Sequence, residues 1–226
     1  MLGADGQEEI RPAYRAFREW LDRQPENRVA RKSAEAENFF RKIGITFNVY
    51  GEDEADERLI PFDVVPRIIS GSEWRKLSKG IEQRVKAINA FLHDIYHRQE
   101  ILRAGRIPQS LIANNDAFLP KMMGFDPPGG IYTHIIGTDI VRTGPDEFYV
   151  LEDNARTPSG VSYMLENREI MLQMFPELFA DIPIREVGDY PSWLRRSLSA
   201  CAPAACLDRP TVAVLTPDVF NSAYFE

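Results

Sequence analysis

Residues 137–160 read GTDIVRTGPDEFYVLEDNARTPSG, and the reading of this stretch decides the fold. Two runs, Ile131 to Arg142 and Glu147 to Leu151, are rich in β-branched and aromatic residues. Between them, Thr143-Gly144-Pro145-Asp146 has the composition of a tight turn. The pair is therefore predicted to form a β-hairpin. Asp139 lies on its first strand, and Glu152 and Asn154 lie at the end of its second. Side chains two apart on a strand share a face, so Glu152 and Asn154 point the same way. If the register centres on Gly144-Pro145-Asp146, Asp139 pairs close to Glu152 and the three converge.

Two carboxylates and an amide carbonyl form a hard oxygen-donor set of the kind Mg²⁺ takes, together with water and phosphate oxygens. On spacing alone, a solvent-facing hairpin end accounts for the same residues. The residues after Asn154 add to the metal reading. Arg156 is two positions beyond it, although its local sequence reads first as a salt bridge to a loop acid. Thr157-Pro158-Ser159-Gly160 supplies hydroxyls and backbone N–H groups ahead of a helix predicted from about Ser162 to Phe175, with Ser159 or Ser162 as its cap. A loop entering a helix N-terminus is an anion site. Guanidinium, Mg²⁺ site and helix start together suit a transferring phosphoryl group.

Working outward, the clearest helix is 72–98, where Trp74, Leu77, Ile81, Val85, Ile88, Leu92 and Ile95 recur at spacings of three and four. Ser70 and Glu73 suggest a capping box at its start. His93 and His97 are four apart near its end, but position 94 is Asp rather than the Glu of HExxH and no third ligand is evident. They read as a polar helix end near Tyr96. Arg84 and Lys86 read as solvated, with Arg84 able to reach a nucleotide. His134 is placed on the first strand of the hairpin, as a structural residue. Asp126-Pro127-Pro128-Gly129-Gly130 is a loop.

Upstream, Tyr14, Phe17, Trp20 and Leu21 carry a weak helical pattern, and 31–42 reads as another helix. Ile43 to Tyr50 alternates as a strand, Gly51 to Arg58 is an acidic turn, and Leu59 to Ile69 is an extended edge segment with two prolines. Downstream, Trp193 to Leu198 is amphipathic, and Thr211-Val212-Ala213-Val214-Leu215 is a buried-strand candidate. Such a strand normally feeds a helix that covers the sheet. The chain is therefore expected to be the N-terminal part of a longer protein.

The 226 residues carry a net charge of −7 with 44% hydrophobic and 27% charged residues. This suits a globular protein and disfavours a grip on nucleic acid or an anionic membrane. No apolar run has the roughly 18–20 residues of a membrane span. The N-terminus lacks a signal-peptide pattern, so a cytoplasmic location is expected. The two cysteines, Cys201 and Cys206, are too few for a disulfide framework and read as packing or loop residues. Neither GxGxxG nor GxxxxGK[ST] occurs, which disfavours a Rossmann or P-loop nucleotide site.

GTDIVRTGPDEFYVLEDNARTPSG resembles the metal-binding hairpin of ATP-grasp ligases. LEDNARTPSGVSYMLENRE, taken with EWRKLSKGIEQRVKAINAFLHDIYH, resembles more closely the circularly permuted ATP-grasp family related to glutathionylspermidine synthase. The resemblance runs from about Ile43 to the end. It implies an α+β fold, an ATP-grasp-like antiparallel sheet with helices, circularly permuted and truncated. The implied segments are a helical 1–42, a metal-binding part at 43–180, and a linker with the start of a further α/β domain at 181–226. By resemblance, Asp139, Glu152 and Asn154 are the Mg²⁺ ligands. Arg156 is the catalytic candidate, and Thr157 and Ser159 are candidates for cofactor phosphate or carboxylate substrate. The implied cofactors are ATP and Mg²⁺, and the implied substrates are a small-molecule or peptide carboxylate and an amine joined through an acyl phosphate. The ATP-clamping lysines are expected beyond Glu226. An inactive scaffold on the same fold is the alternative.

Overall fold

The computed structural model describes residues 10–48, 57–59, 62–180, 182–206 and 208–217. In chain order it contains α1 (Arg15–Asp22), α2 (Arg28–Ile43), β1 (Thr46–Asn48), β2 (Glu57–Leu59) and α3 (Gly71–Tyr96). The short α4 (Glu100–Arg103) and α5 (Ser110–Ala113) follow. Then come β3 (Gly137–Gly144), β4 (Glu147–Asn154), α6 (Val161–Met174), α7 (Pro176–Ala180) and α8 (Tyr190–Ala200). β1 pairs with β2 and β3 with β4, each pair antiparallel. The composition is thus helix-rich α+β. No described helix is long and apolar enough to cross a membrane.

The chain divides into two compact units, each non-contiguous in sequence. The first comprises 1–71, 159–189 and 214–226. Its apolar side chains come from α1, α2, α6 and α7. Phe17, Trp20, Met171, Phe175 and Leu178 form one buried cluster, with the Trp20 and Phe175 rings edge to face at 5.2 Å. Ala36, Phe40, Ile45 and Ile170 form a second, and all four are sealed from solvent. Burying each large apolar side chain is worth about 1.5–3 kcal/mol, so these clusters hold the unit together. The end of α2 shows how local sequence steers the chain into this core. Gly44 takes φ +77°, and the Gly44 and Ile45 N–H groups both donate to the Phe40 carbonyl. This left-handed exit turns Ile45 back onto Phe40. Tyr14 adds a clamp, its hydroxyl accepting from Ile68 N–H and donating to the Pro66 carbonyl.

The second unit, 72–158 and 190–213, is organised along α3. Its 26 residues give a rod about 39 Å long. The predicted apolar stripe is half-buried along most of its length. Ile95 is buried and Trp74 exposed. The hairpin lies along its N-terminal half. Glu73 pairs with Arg142, Lys76 Nζ donates to the Asp146 carbonyl at 3.1 Å, and Arg84 Nε donates to Asp153 at 2.6 Å. Farther along, Asn89 Oδ1 accepts from Tyr132 N–H at 2.8 Å and Thr133 N–H at 3.2 Å. At the end of α3, the Tyr96 carbonyl accepts from Gly124 N–H, its hydroxyl accepts from Leu119 N–H, and its ring stacks between Phe118 and Tyr132. A single helix thereby fixes the hairpin and the loop before it.

Several sequence expectations change. Thr211 to Leu215 forms no strand, and Val214 and Leu215 are 83% and 96% exposed. A strand needs a ladder partner, and no described segment pairs with it. His134 precedes β3 rather than lying on it, and it is exposed. Of the strand expected at Ile43 to Tyr50, α2 takes Ile43 and β1 is Thr46–Asn48. Val49 and Tyr50, with 51–56 of the acidic turn, lie outside the described residues. Of the extended segment, Leu59 ends β2 and 62–69 is irregular, while Ile60 and Pro61 lie outside the described residues.

Candidate metal centre on the β3–β4 hairpin

The register places Asp139 directly opposite Glu152, and Gly137 opposite Asn154. Opposed residues of an antiparallel pair share a face, so Asp139, Glu152 and Asn154 stand on one side of the hairpin, all exposed. Two irregularities lie between the turn and these pairs. From the pair Gly144↔Glu147 the next is Arg142↔Phe148, leaving Thr143 extra on β3. From Ile140↔Val150 the next is Asp139↔Glu152, leaving Leu151 extra on β4. The two bulges lie in opposite strands and cancel, so the register set by the turn returns at Asp139.

The second bulge decides which way the acids face. In regular alternation Phe148, Val150, Glu152 and Asn154 would share a side. The extra Leu151, 70% exposed, shifts the phase. Arg142 and Asp153 then point to α3, while Glu152 and Asn154 turn to the open side with Asp139. Asp153, which the sequence pattern does not single out, is the structural acid of the segment. It accepts from Arg84 at 2.6 Å and from the Thr138 hydroxyl at 3.0 Å. Arg84 is thus engaged with Asp153 while its side chain stays exposed, as expected of a solvated residue. Only the bulge reveals this, because Glu152 and Asp153 exchange roles without it.

On the open face, Asn154 Nδ2 donates to Glu152 Oε1 at 3.2 Å. This orients the amide and leaves its carbonyl oxygen available as a donor to a cation. Gly137 is opposite Asn154, where a Cβ would lie 2.8 Å from the Pro158 Cβ. Glycine therefore lets the 155–158 segment close back over the end of the hairpin. That segment carries Arg156 and Thr157, both exposed and without a side-chain hydrogen bond or ion pair to any described residue. The local salt bridge suggested for Arg156 does not form.

Ser159 is the first residue of this segment in the other compact unit. The N-cap of α6 is Gly160, not Ser159 or Ser162, because the chain enters the helix at φ +107°, a conformation that favours glycine.

A profile of the family described as a circularly permuted ATP-grasp matches residues 66–226. The chain belongs to the circularly permuted ATP-grasp family. An uncharacterized protein of Synechocystis is 50% identical over 184 residues, covering 81% of this chain and 38% of that protein. An uncharacterized protein of Mycobacterium tuberculosis is 50% identical over 183 residues, covering 81% of this chain and 32% of its own length. A Frankia alni protein named "Putative glutamate–cysteine ligase 2-3" is 41% identical over 222 residues, covering 96% of this chain and 25% of its own length. The chain thus spans about a quarter to two fifths of these relatives.

Proposed function

We propose that this chain is the metal-binding half of an ATP-dependent carboxylate–amine ligase. The observation that carries the reading is the pairing of Asp139 with Glu152, with Asn154 on the same open face, in a chain of this family. The residues fit Mg²⁺ chemically, since two exposed carboxylates and an amide oxygen are hard donors that leave positions for water and phosphate oxygens. Mg²⁺-bound ATP would supply the γ-phosphoryl group, leaving as ADP when a substrate carboxylate is activated. Asp139 and Glu152 provide the negative charge that holds the ion, and Asn154 a neutral third donor. Arg156, exposed in the segment that follows β4, would stabilise negative charge on the transferring group, and Thr157 would offer a hydroxyl to phosphate or carboxylate oxygens. The amine would then attack the carbonyl carbon of the acyl phosphate, inorganic phosphate leaving as the C–N bond forms and the nitrogen giving up a proton. The name of the Frankia alni relative, "Putative glutamate–cysteine ligase 2-3", is in keeping with this class of reaction.

The test is Glu152→Gln in the whole protein. It keeps shape and removes charge, and the expected result is weakened Mg²⁺-ATP binding and loss of turnover. ADP and phosphate should appear only when acid and amine are both present. Unchanged turnover in the variant would remove the metal assignment, and phosphate release without an amine would remove the ligase reading.

A further inference from the structure

A second cluster of metal-ligating groups lies at the other end of α3. His93 and His97 share one face of the helix end, their rings stacked at 4.3 Å between centroids. The sequence offers them no third ligand, but the fold does. Asp126, 29 positions beyond His97, is brought back so that its Oδ1 lies 3.7 Å from His93 Nε2 and 3.2 Å from His97 Nε2. The ligand atoms of the three residues all lie within 4.8 Å of one another. A tetrahedral ion with metal–nitrogen bonds of about 2.0–2.1 Å holds its ligand atoms about 3.3 Å apart. The two measured edges, 3.2 and 3.7 Å, bracket that spacing.

The hydrogen-bond geometry points the same way. His97 Nδ1 lies 2.9 Å from the His93 carbonyl, which can only accept, so Nδ1 carries the proton. That contact turns the ring so that Nε2 faces Asp126. That Nε2 is shielded from solvent and has no hydrogen-bond partner, although the carboxylate is within ion-pair distance. A cation seated between Nε2 and the carboxylate would give both a partner. A ring nitrogen donating to a backbone carbonyl while the other faces the ion is the usual orienting contact of a histidine ligand.

The surroundings are built. The Tyr132 hydroxyl donates to the Phe125 carbonyl at 3.1 Å, one residue from Asp126. Tyr132 is itself held by Asn89, and the loop by Tyr96. Asp94 cannot serve as a neighbouring base, because its two oxygens accept from the Glu100 and Ile101 N–H groups.

We propose that His93, His97 and Asp126 form a second metal site, for a divalent transition ion such as Zn²⁺, that fastens the Asp126 loop to the end of α3. Two imidazoles and one carboxylate suit this borderline ion rather than the Mg²⁺ of the hairpin, and a fourth position remains for water. The site is independent of the ligase reading.

The test is competition of the purified protein with a chromophoric chelator for Zn²⁺ or Co²⁺. Saturating Mg²⁺ is present, and Cys201→Ser and Cys206→Ser remove the thiols. One equivalent should bind, and Zn²⁺ should slow amide exchange in 124–130. His97→Gln or Asp126→Asn should weaken binding by more than about 100-fold, beyond the loss typical of supporting residues. His93 and Asp126 are exposed, so His93→Gln and Asp126→Asn test the site without disturbing the core. Glu152→Gln should leave Zn²⁺ binding unchanged. Absence of stoichiometric binding, as a proton-bridged His97–Asp126 pair would give, overturns the proposal. So does equal binding by the variants, or loss of Zn²⁺ with Glu152→Gln alone.

Discussion

Asn89→Ala isolates the contact that ties the segment before the hairpin to α3. Asn89 Oδ1 accepts two backbone N–H groups, Tyr132 at 2.8 Å and Thr133 at 3.2 Å. Its Nδ2 donates to the Val85 carbonyl and the Thr133 hydroxyl, each at 3.2 Å. The Thr133 hydroxyl can turn to water, and Val85 lies within the hydrogen-bonded helix, so these two losses are minor. The two backbone donors lose an acceptor at a half-buried position. At about 1 kcal/mol for each net bond, the local cost is about 2 kcal/mol. That corresponds to roughly thirtyfold faster opening. Amide hydrogen exchange of 130–135 reads this directly and does not require two-state unfolding of a chain with two units. Asn89→Asp keeps both acceptor positions and should retain most of the protection. Unchanged exchange of Tyr132 and Thr133 in Asn89→Ala, or equal acceleration in Asn89→Asp, would refute the reasoning.

The Glu73–Arg142 pair gives a second expectation, since these side chains are only 11% and 17% exposed. Glu73→Leu alone should destabilise by about 2–3 kcal/mol by stranding the guanidinium, and adding Arg142→Met should recover more than half. Additive losses in the urea midpoint would contradict this. The third concerns acid. The Ile101 and Glu100 N–H groups hold the Asp94 carboxyl below its usual range, so the ionised form is favoured in the folded state. That stabilisation is complete above the unfolded value of about 3.9 and is lost as pH falls through the lower folded value. Asp94→Asn should therefore lose less stability than the parent between about pH 5 and pH 2, and parallel losses in urea titrations would exclude the contribution.

The long helix and the C-terminal apolar run differ in what sequence could reveal. The helix was legible because its period is local and repeated over about seven turns. It appears at Gly71–Tyr96, within two residues of the reading at either end. Leu215 illustrates the opposite case. An apolar β-branched run is necessary for a buried strand, but a strand forms only against a partner that its own sequence cannot supply.

By itself, the sequence indicated a hairpin turning at Pro145-Asp146 with Asp139 close to Glu152, although its first strand begins at Gly137 rather than Ile131 and takes in Thr143 and Gly144. Turn chemistry is local, and register follows from it whenever later irregularities cancel. The tertiary structure decided which acids are available. Leu151 bulges out, Asp153 turns in to Arg84, and Glu152 with Asn154 turns out, a choice made by packing against α3 rather than by spacing. It also gave His93 and His97 their third neighbour. Asp126 reaches them only because Tyr96 and Tyr132 anchor its loop, and contacts between residues distant in sequence leave no periodic trace.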